Sequence, residues 1–556
     1  MFVKSGVKLP GRVFQTYEAS TLKGSDVLVI SEPDDKGIIE VLGICVDKET
    51  GTGHKEMKWR IQLSSLNMLV DLRQRLFINQ KELLKEIMVL DKNDMEMIMK
   101  KIISSDITNY YNFFHANKAN DKFIPVKSRV NYAGRVYDQR EMINLVDSAL
   151  EFYLTASRYD RKFCVDFSKL LSINSGKSPY VLTVNSGSSA NLLAIAALSS
   201  YKLGKFALHP GDEIITPAAG FPTTITPIIQ YGFVPVFVDI ELGTYNINTE
   251  LIEKAVSRKT KAIFLAHTLG IPFDLEKVLK LAQKHKLWVI EDNCDSLGAK
   301  FKLAGKYKLI NGKVVSGQRY TGTFGHIGTS SFYPAHQMTM GEGGAVYTDN
   351  LELYRILLSF RDWGRDCWCE PGKDNTCHRR FEGQFGTLPP GYDHKYVYSH
   401  LGYNFKITEM QAAIGVAQLC KVNSFINQRR KNWELLYAGL RNLSDVFILP
   451  SFPKSSQISP FGFALTIKEK SGFSRKDITL FLENNNIQTR PLFAGNMIRQ
   501  PAFTNGRCRY RTAGKFLNTD LVMKNTLWFG VYPGLNREML SFVVNKIKDF
   551  VHGEKK

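Results

Sequence analysis

The strongest constraint on the fold is an alternation of short apolar runs with helical ones between residues 126 and 415. Apolar runs of this length, separated by helix-length segments, are typical of buried parallel strands that helices connect. The order therefore predicts an α/β domain in which a largely parallel sheet lies between helices. The strand-like runs are residues 180–184, 213–216, 234–238, 262–266 and 287–290.

The region before this domain has a different pattern. Residues 1–65 contain three strand-like runs between turn-rich pieces, which predicts a β-rich accessory module. Residues 66–125 change to a helical period and predict a helical linker region. The three strand-like runs are residues 26–31, 38–46 and 57–63.

The sequence also predicts a smaller C-terminal domain and an insertion within the large domain. Residues 416–556 combine helical runs with extended ones, as expected for a smaller C-terminal α+β domain. Within the large domain, residues 302–320 carry Asn311-Gly312 between two extended pieces, a combination that favours a tight hairpin turn. We therefore expect an inserted β-hairpin there.

Composition limits the classes of function. A net charge of +20 is compatible with a merely soluble surface, with an anionic substrate or with an acidic protein partner. The sequence has no basic run interleaved with aromatic residues, so nothing in it points to nucleic acid binding. It also has no stretch long and apolar enough to predict a membrane span. The first residues lack the apolar core of a signal peptide, which predicts a cytoplasmic protein whose eight cysteines are thiols or metal ligands.

An anion site is predicted where residues 185–190 follow a buried strand and open an apolar helix. Free backbone amides and the positive end of the helix dipole attract phosphate at such a position. Gly187 lets a phosphate approach the backbone, and Ser188 adds a hydroxyl. A serine-rich helix cap without a ligand has the same composition.

Two carboxylates follow the predicted strand 287–290. Asp292 and Asp295 lie at its carboxyl end, the edge at which ligands bind in open α/β sheets. Asp292 could instead serve only as a helix cap. Both residues are therefore candidates for a ligand site, together with the helix that begins at Gly187.

Four cysteines form a second candidate site. Cys367, Cys369 and Cys377 have the spacing Cys-x-Cys-x₇-Cys in a polar loop, and Cys294 lies beside Asp292. Four thiolates are the usual ligands of an iron–sulfur cluster or of a structural zinc ion. The spacing alone does not separate these two options from an unliganded loop.

Residues 331–344, Ser-Phe-Tyr-Pro-Ala-His-Gln-Met-Thr-Met-Gly-Glu-Gly-Gly, resemble a segment of the DegT/DnrJ/EryC1/StrS sugar aminotransferase family. The resemblance implies the type I aminotransferase fold. In that family the position of His336 carries the lysine that holds pyridoxal phosphate as a Schiff base, which imidazole cannot do. Imidazole can move a proton near neutral pH. The resemblance therefore implies a noncovalent cofactor, pyridoxamine phosphate or pyridoxal phosphate.

The resemblance also assigns roles to other residues. Asp292 matches the carboxylate that pairs with the pyridine nitrogen of the cofactor, and Asp295 belongs to the same cofactor-binding segment. Phe221 matches the aromatic ring that stacks on the cofactor. Ser331 matches a phosphate-binding hydroxyl. Asn404 matches an asparagine that reaches the phosphate from the neighbouring subunit, which implies a homodimer or a larger assembly.

Several longer motifs, which include residues 133–138, 218–224 and 360–372, are similar to one branch of this family. That branch removes the C-3 hydroxyl of a nucleotide-linked 4-keto-6-deoxyhexose, with His336 as the base and a [2Fe–2S] cluster on the four cysteines. The implied electron donor is an NADH-dependent flavin or iron–sulfur reductase. The implied substrate is CDP-4-dehydro-6-deoxy-D-glucose. The alternatives are a dTDP- or GDP-linked sugar, or a noncatalytic regulator that keeps the fold.

Overall fold

The computed structural model describes five strands before residue 92 and, after it, residues 92–116, 122–172, 177–369 and 373–553. The chain divides into two compact units, Met1–Asp121 and Lys122–Lys556. No helix in these described parts is long and apolar enough to span a membrane.

The first unit contains a three-stranded antiparallel sheet in the order Ser25–Val29, Ile38–Cys45, Leu69–Asn79, and a helix, Lys92–Phe114. Two predicted strands are thereby confirmed, and the predicted run 57–63 lies outside the described residues. The strand Leu69–Asn79 falls where we predicted helix. Its apolar residues recur with the two-residue period of a strand: Val70, Leu72, Leu76 and Ile78. A short pair, Lys8–Leu9 with Arg12–Val13, completes the unit's strands.

The second unit is built on an eight-stranded, mostly parallel sheet, as predicted. Gly344–Thr348 is antiparallel to both of its neighbours, and all other neighbouring strands are parallel. The order across the sheet is Arg511–Ala513, Val234–Val238, Glu213–Pro217, Thr260–Ala266, Trp288–Asp292, Ile327–Ser331, Gly344–Thr348, Tyr180–Val184. Arg511–Ala513 comes from the C-terminal region, and its return to the large sheet was not predicted.

Helices cover both faces of this sheet. Ile214 and Ile290 pack into one buried apolar cluster, whereas their sequence neighbours Ile215 and Val289 pack into another. Because successive strand residues point to opposite faces, two clusters require two covered faces. The helices of the large domain are Gln139–Glu151, Arg158–Ser172, Gly187–Leu198, Pro222–Gln230, Thr249–Ala255, Leu275–His285, Leu351–Arg361 and Glu409–Leu419. Val422–Leu440 packs mainly against Arg537–Gly553 of the C-terminal region.

The C-terminal region forms a four-stranded antiparallel sheet with its own apolar cluster. Its strands, in order, are Phe447–Ile448, Gly462–Ile467, Thr526–Gly530 and Arg490–Pro491, and its helices are Arg475–Asn484, Pro501–Thr504, Leu517–Asn525 and Arg537–Gly553.

The predicted inserted hairpin is confirmed. Lys300–Lys308 pairs antiparallel with Val314–Tyr320, and Ser456–Gln457 adds a third strand to this small sheet. Gly312 has a φ of 83° in the connecting turn, a conformation that favours glycine.

Candidate active site

A phosphate-sized cradle lies where the helix Gly187–Leu198 begins. Ser186 caps this helix by accepting the backbone N–H of Ser189 at 3.1 Å. A Cβ on Gly187 would lie 2.4 Å from the Cβ of Ser331, so a side chain at this position would fill the cradle. The Ser188 hydroxyl lies 3.1 Å from that of Thr223. Gly187, Ser188 and Ser331 are thus brought together as predicted.

Asp292 ends its strand at 5% exposure, and its carboxylate is held on both oxygens. Oδ2 accepts hydrogen bonds from the side chains of Asn191 and Thr224, each at 2.8 Å. Oδ1 accepts the backbone N–H of Cys294 at 3.1 Å. Sequence reasoning missed Asn191 and Thr224. The available signal was that Asn191 is polar in an otherwise apolar helix.

These groups face a cavity of about 820 Å³. Its volume is within the range of small-molecule sites. Among the described residues that line it, none is a lysine. The predicted residues on its wall are Gly187, Ser188, Phe221, Asp292, Cys294, Asp295, Ser331 and His336.

His336 follows the strand Ile327–Ser331 and is fixed through its backbone. The guanidinium of Arg429, itself 1% exposed, donates to the carbonyl oxygens of Ala335 at 3.0 Å and His336 at 2.7 Å. The imidazole ring lies 5.1 Å from the ring of Phe461. Burial, assisted by the charge of Arg429, lowers the pKa of His336 to about 3. The ring is therefore neutral at physiological pH.

Asp295 faces His336 on the cavity wall. Its Oδ1 lies 3.6 Å from Nδ1 of His336, slightly beyond hydrogen-bond distance, and its Oδ2 accepts the backbone N–H of Leu269 at 3.2 Å. Burial and the nearby Asp292 raise the pKa of Asp295 to about 7. The structure thus places Asp295 beside His336. The sequence analysis named both residues but did not predict that they are neighbours.

Two other predicted residues occupy different settings. Phe221 lines the cavity at 52% exposure and meets the ring of Phe493 edge-on, with 6.1 Å between centroids. Asn404 is exposed and forms an isolated antiparallel β-bridge with Asp362 through the backbone. It is not among the residues that line the cavity of its own chain.

The four cysteines do not assemble into one site. Cys294 lines the main cavity, whereas Cys367, Cys369 and Cys377 line a separate small cavity with His394. Within the described ranges, no group of three or more His, Cys, Asp or Glu side chains is arranged to hold a metal ion. The predicted four-thiol arrangement is therefore not formed in this structure. The reason is geometric, because Cys294 is fixed beside Asp292 while the other three occupy a loop.

The thiols also differ in their electrostatics. Burial and the charge of Asp292 raise the pKa of Cys294. Burial raises the pKa of Cys367 to about 11. Burial acts the same way on Cys369, but hydrogen bonds from Thr376 and Cys377 outweigh it and lower the pKa of that thiol to about 7. The small cavity thus contains one readily ionised thiol.

Comparison with known proteins agrees with this geometry. The sequence profile of the DegT/DnrJ/EryC1/StrS aminotransferase family matches residues 138–548. The chain belongs to this family.

Among its relatives, the chain is 49% identical to the lipopolysaccharide biosynthesis protein RfbH of Salmonella typhimurium, over 77% of this chain and 93% of that protein. It is 47% identical to the dTDP-4-dehydro-2,6-dideoxy-D-glucose 3-dehydratase of Saccharopolyspora spinosa, over 79% and 90%. A solved Escherichia coli GDP-4-keto-6-deoxy-D-mannose-3-dehydratase with bound hydrated PLP has a TM-score of 0.65 at 29% identity, covering 75% of this chain and 98% of that one.

The residues present in this family member fit a pyridoxal phosphate type of cofactor. The cradle at Gly187 would be closed by a Cβ, and a buried carboxylate lies at Asp292 on the same cavity. Because no lysine is among the described lining residues, the same wall suits a noncovalent cofactor rather than a covalently held one.

Proposed function

We propose that the protein catalyses the C-3 dehydration of a nucleotide-linked 4-keto-6-deoxyhexose with noncovalently bound pyridoxamine phosphate. The observation that carries this proposal is His336, which the sequence resemblance puts at the lysine position of the family and which lies in a cavity whose described lining residues include no lysine. Imidazole can remove and return a proton but cannot form a Schiff base. This favours elimination over amino transfer.

When bound, pyridoxamine phosphate supplies the primary amine that reacts with the C-4 ketone and the ring that accepts electrons. The chain's own residues do the rest. Asn191 and Thr224 orient the carboxylate of Asp292, which would pair with the ring nitrogen of the cofactor. The amides at Gly187 and the Ser331 hydroxyl would hold its phosphate, and Phe221 would lie against its ring.

His336 is the proposed general base. Its Nδ1 lies 3.6 Å from Oδ1 of Asp295 and the residue lines the cavity, so we assign the proton-accepting role to Nε2. Arg429 fixes the histidine backbone, so the ring is held close to one position. The proton held at Nε2 is then available to the departing C-3 hydroxyl, as in general acid–base catalysis.

The proposed substrate is CDP-4-dehydro-6-deoxy-D-glucose, because the sequence resembles the CDP-specific branch and because RfbH is a 49% identical relative. The deciding experiment is anaerobic turnover of pyridoxamine-phosphate-loaded protein with CDP-, dTDP- and GDP-linked 4-keto-6-deoxysugars. We expect a 3-deoxy-4-keto sugar about 16 mass units lighter, fastest with the CDP sugar, because the C-3 hydroxyl is replaced by hydrogen while the cofactor amine supplies the two electrons and becomes pyridoxal phosphate. Amino transfer to the sugar, or no reaction with any of the three, would contradict the proposal.

We also propose that the loop containing Cys367, Cys369 and Cys377 is the metal-binding element, and that a [2Fe–2S] cluster there receives electrons from a separate reductase. The shared small cavity of the three thiols supports this, and the readily ionised Cys369 suits a thiolate ligand. Among the described residues, Cys294 lies on the main cavity and three thiols, Cys367, Cys369 and Cys377, line the small one. Iron analysis and visible spectra test the proposal.

A second candidate is a 3-dehydratase without a cluster. A solved GDP-4-keto-6-deoxymannose-3-dehydratase, 29% identical to this chain, contains a trapped PLP–glutamate geminal diamine. Restoration of the amine form by glutamate in iron-free protein would support this candidate over the cluster-dependent one.

We propose a homodimer in which Asn404 completes the partner's site. Asn404 is exposed and lies outside its own cavity, and the preceding residues present exposed apolar surface. Leu401 is 96% exposed, and Tyr396 and Tyr398 are more than half exposed. Aromatic residues are enriched at interface cores, so a second copy would cover this surface.

A further inference from the structure

A second cavity, of about 520 Å³, adjoins the active-site cavity. Tyr132, Tyr333 and Ala335 line both, so the two spaces meet at a common wall. The remaining lining of the outer cavity comes mainly from residues 131–137 and from Tyr532. The outer cavity and the cavity that contains His336 are therefore neighbours.

The common wall is held by packing and hydrogen bonds. The backbone N–H of Tyr132 donates to Oε1 of Gln488 at 3.2 Å, and the Tyr132 ring meets Trp528 edge-on at 5.6 Å. A Cβ on Gly134 would lie 2.6 Å from the Tyr532 ring. The segment is therefore pressed against Tyr532, and the cavity is formed without a ligand.

Each of the two cavities has one arginine in its lining. Arg490 lines the active-site cavity, and its guanidinium lies 4.1 Å from the centre of the Tyr132 ring. Arg135 lines the outer cavity and is exposed. In the ranges that the structure describes, neither arginine makes an ion pair with a carboxylate, and no Asp or Glu is among the lining residues of the outer cavity. Both cations are therefore available to an anionic ligand.

We propose that the outer cavity binds the nucleoside diphosphate part of the substrate. The diphosphate lies between Arg490 and Arg135, and the base packs against the tyrosine rings. Arginine binds phosphate oxygens with two parallel hydrogen bonds, which suits a diphosphate. The planar rings of Tyr132, Tyr137 and Tyr532 offer faces for a base. This inference rests on the proposed function and adds the residues that hold the nucleotide.

Calorimetric titration of cofactor-loaded protein with CDP, CMP, cytidine and inorganic pyrophosphate tests the proposal. We expect CDP to bind more tightly than any of the other three, because it alone carries both the base and the diphosphate. Arg135→Gln and Arg490→Gln should each weaken CDP binding about ten- to a hundredfold, the value of a hydrogen bond to a charged group. Tyr137→Ala should weaken the binding of CDP but not that of pyrophosphate.

Arg258→Gln is the matched control, since Arg258 is exposed and lines neither cavity. The absorbance of the bound cofactor should be unchanged in every variant, and Arg490→Lys, which keeps the charge, should recover part of the affinity. Wild-type CDP affinity in both arginine variants would overturn the proposal. So would pyrophosphate affinity equal to that of CDP. Arginine-dependent CDP binding without turnover of any 4-keto sugar would leave the subsite standing while the proposed reaction fails.

Discussion

The cofactor cavity and the cysteine loop were both predicted from residue patterns. In the structure they differ in the kind of backbone that carries their functional groups. In the cavity, the functional groups lie at the ends of regular elements: Gly187 begins a helix, while Asp292 and Ser331 each end a strand. In the loop, Cys367, Cys369 and Cys377 lie outside helices and strands. Sites on regular elements are positioned more precisely than sites on loops.

The two regions also differ in the hydrogen bonds that hold their functional side chains. Both oxygens of Asp292 are held by hydrogen bonds, so that side chain is placed before any ligand arrives. The thiol of Cys367 accepts the backbone N–H of Cys369 at 3.4 Å, and both residues belong to the loop itself. Because metal binding frequently orders its own ligands, the loop can require the metal to reach its final geometry.

The largest effect is expected at the centre of the cavity. His336→Lys should lower the dehydration rate by about 10²–10⁴, the usual contribution of a general base, and should let the chain hold pyridoxal phosphate covalently. Rates and the mass of the borohydride-reduced protein measure the two outcomes. His209→Gln, at an exposed histidine, should behave as wild type. Dehydration by the lysine variant at the wild-type rate would remove His336 from the mechanism.

The second prediction separates the two regions directly. Cys369→Ser should abolish bound iron and the visible bands at about 400–460 nm, which dithionite bleaches in the wild type, and should leave the cofactor bound. Cys294→Ser should keep its iron, because Cys294 lines the other cavity. Iron analysis and spectra provide the readout. Loss of iron in Cys294→Ser would restore the four-thiol ligand set that the sequence suggested, and iron-free wild-type protein would favour the cluster-free candidate.

The sequence was sufficient for those parts of the molecule that local patterns determine. The apolar runs located five strands of the main sheet, and Asn311-Gly312 located the inserted hairpin. The pairing of Arg511–Ala513 with that sheet depends on a contact across more than 270 residues, for which no local pattern exists. For the same reason the sequence indicated Asp292 but not its partners Asn191 and Thr224, and it could not separate Cys294 from the other cysteines.

The third prediction concerns the shared site. Asn404→Asp should lower activity about tenfold or more, because a negative charge would face the partner's cofactor phosphate. The sharper test mixes this variant with His336→Lys. If each site takes Asn404 from the partner, half of the subunit pairs are mixed and each mixed dimer has one intact site, so activity should return to about a quarter of wild type. No recovery in the mixture would place Asn404 in its own chain's site or outside both sites.

The smallest expected effect concerns stability and pH. Asp295 has a raised pKa of about 7 in the folded protein, so the fold is favoured while this group is protonated and loses that advantage as pH rises through 7. In cofactor-free protein, Asp295→Asn should therefore stabilise the fold more at pH 8 than at pH 5, by roughly 2 kcal/mol on the scale of 1.36 kcal/mol per pKa unit.

Chemical denaturation at pH 5 and pH 8 measures the effect, and the cysteine loop supplies the contrasting variant. Asp374 is exposed there, and its hydrogen bond with Lys395 lowers the pKa of its carboxyl, so its contribution to stability is present above the unfolded-state pKa. Asp374→Asn should therefore destabilise slightly at pH 8, the opposite sign. Because solvent screens an exposed pair, its change should also be smaller. Equal pH responses in the two variants would show that Asp295 is not the buried, preorganised carboxyl that distinguishes the cavity from the loop.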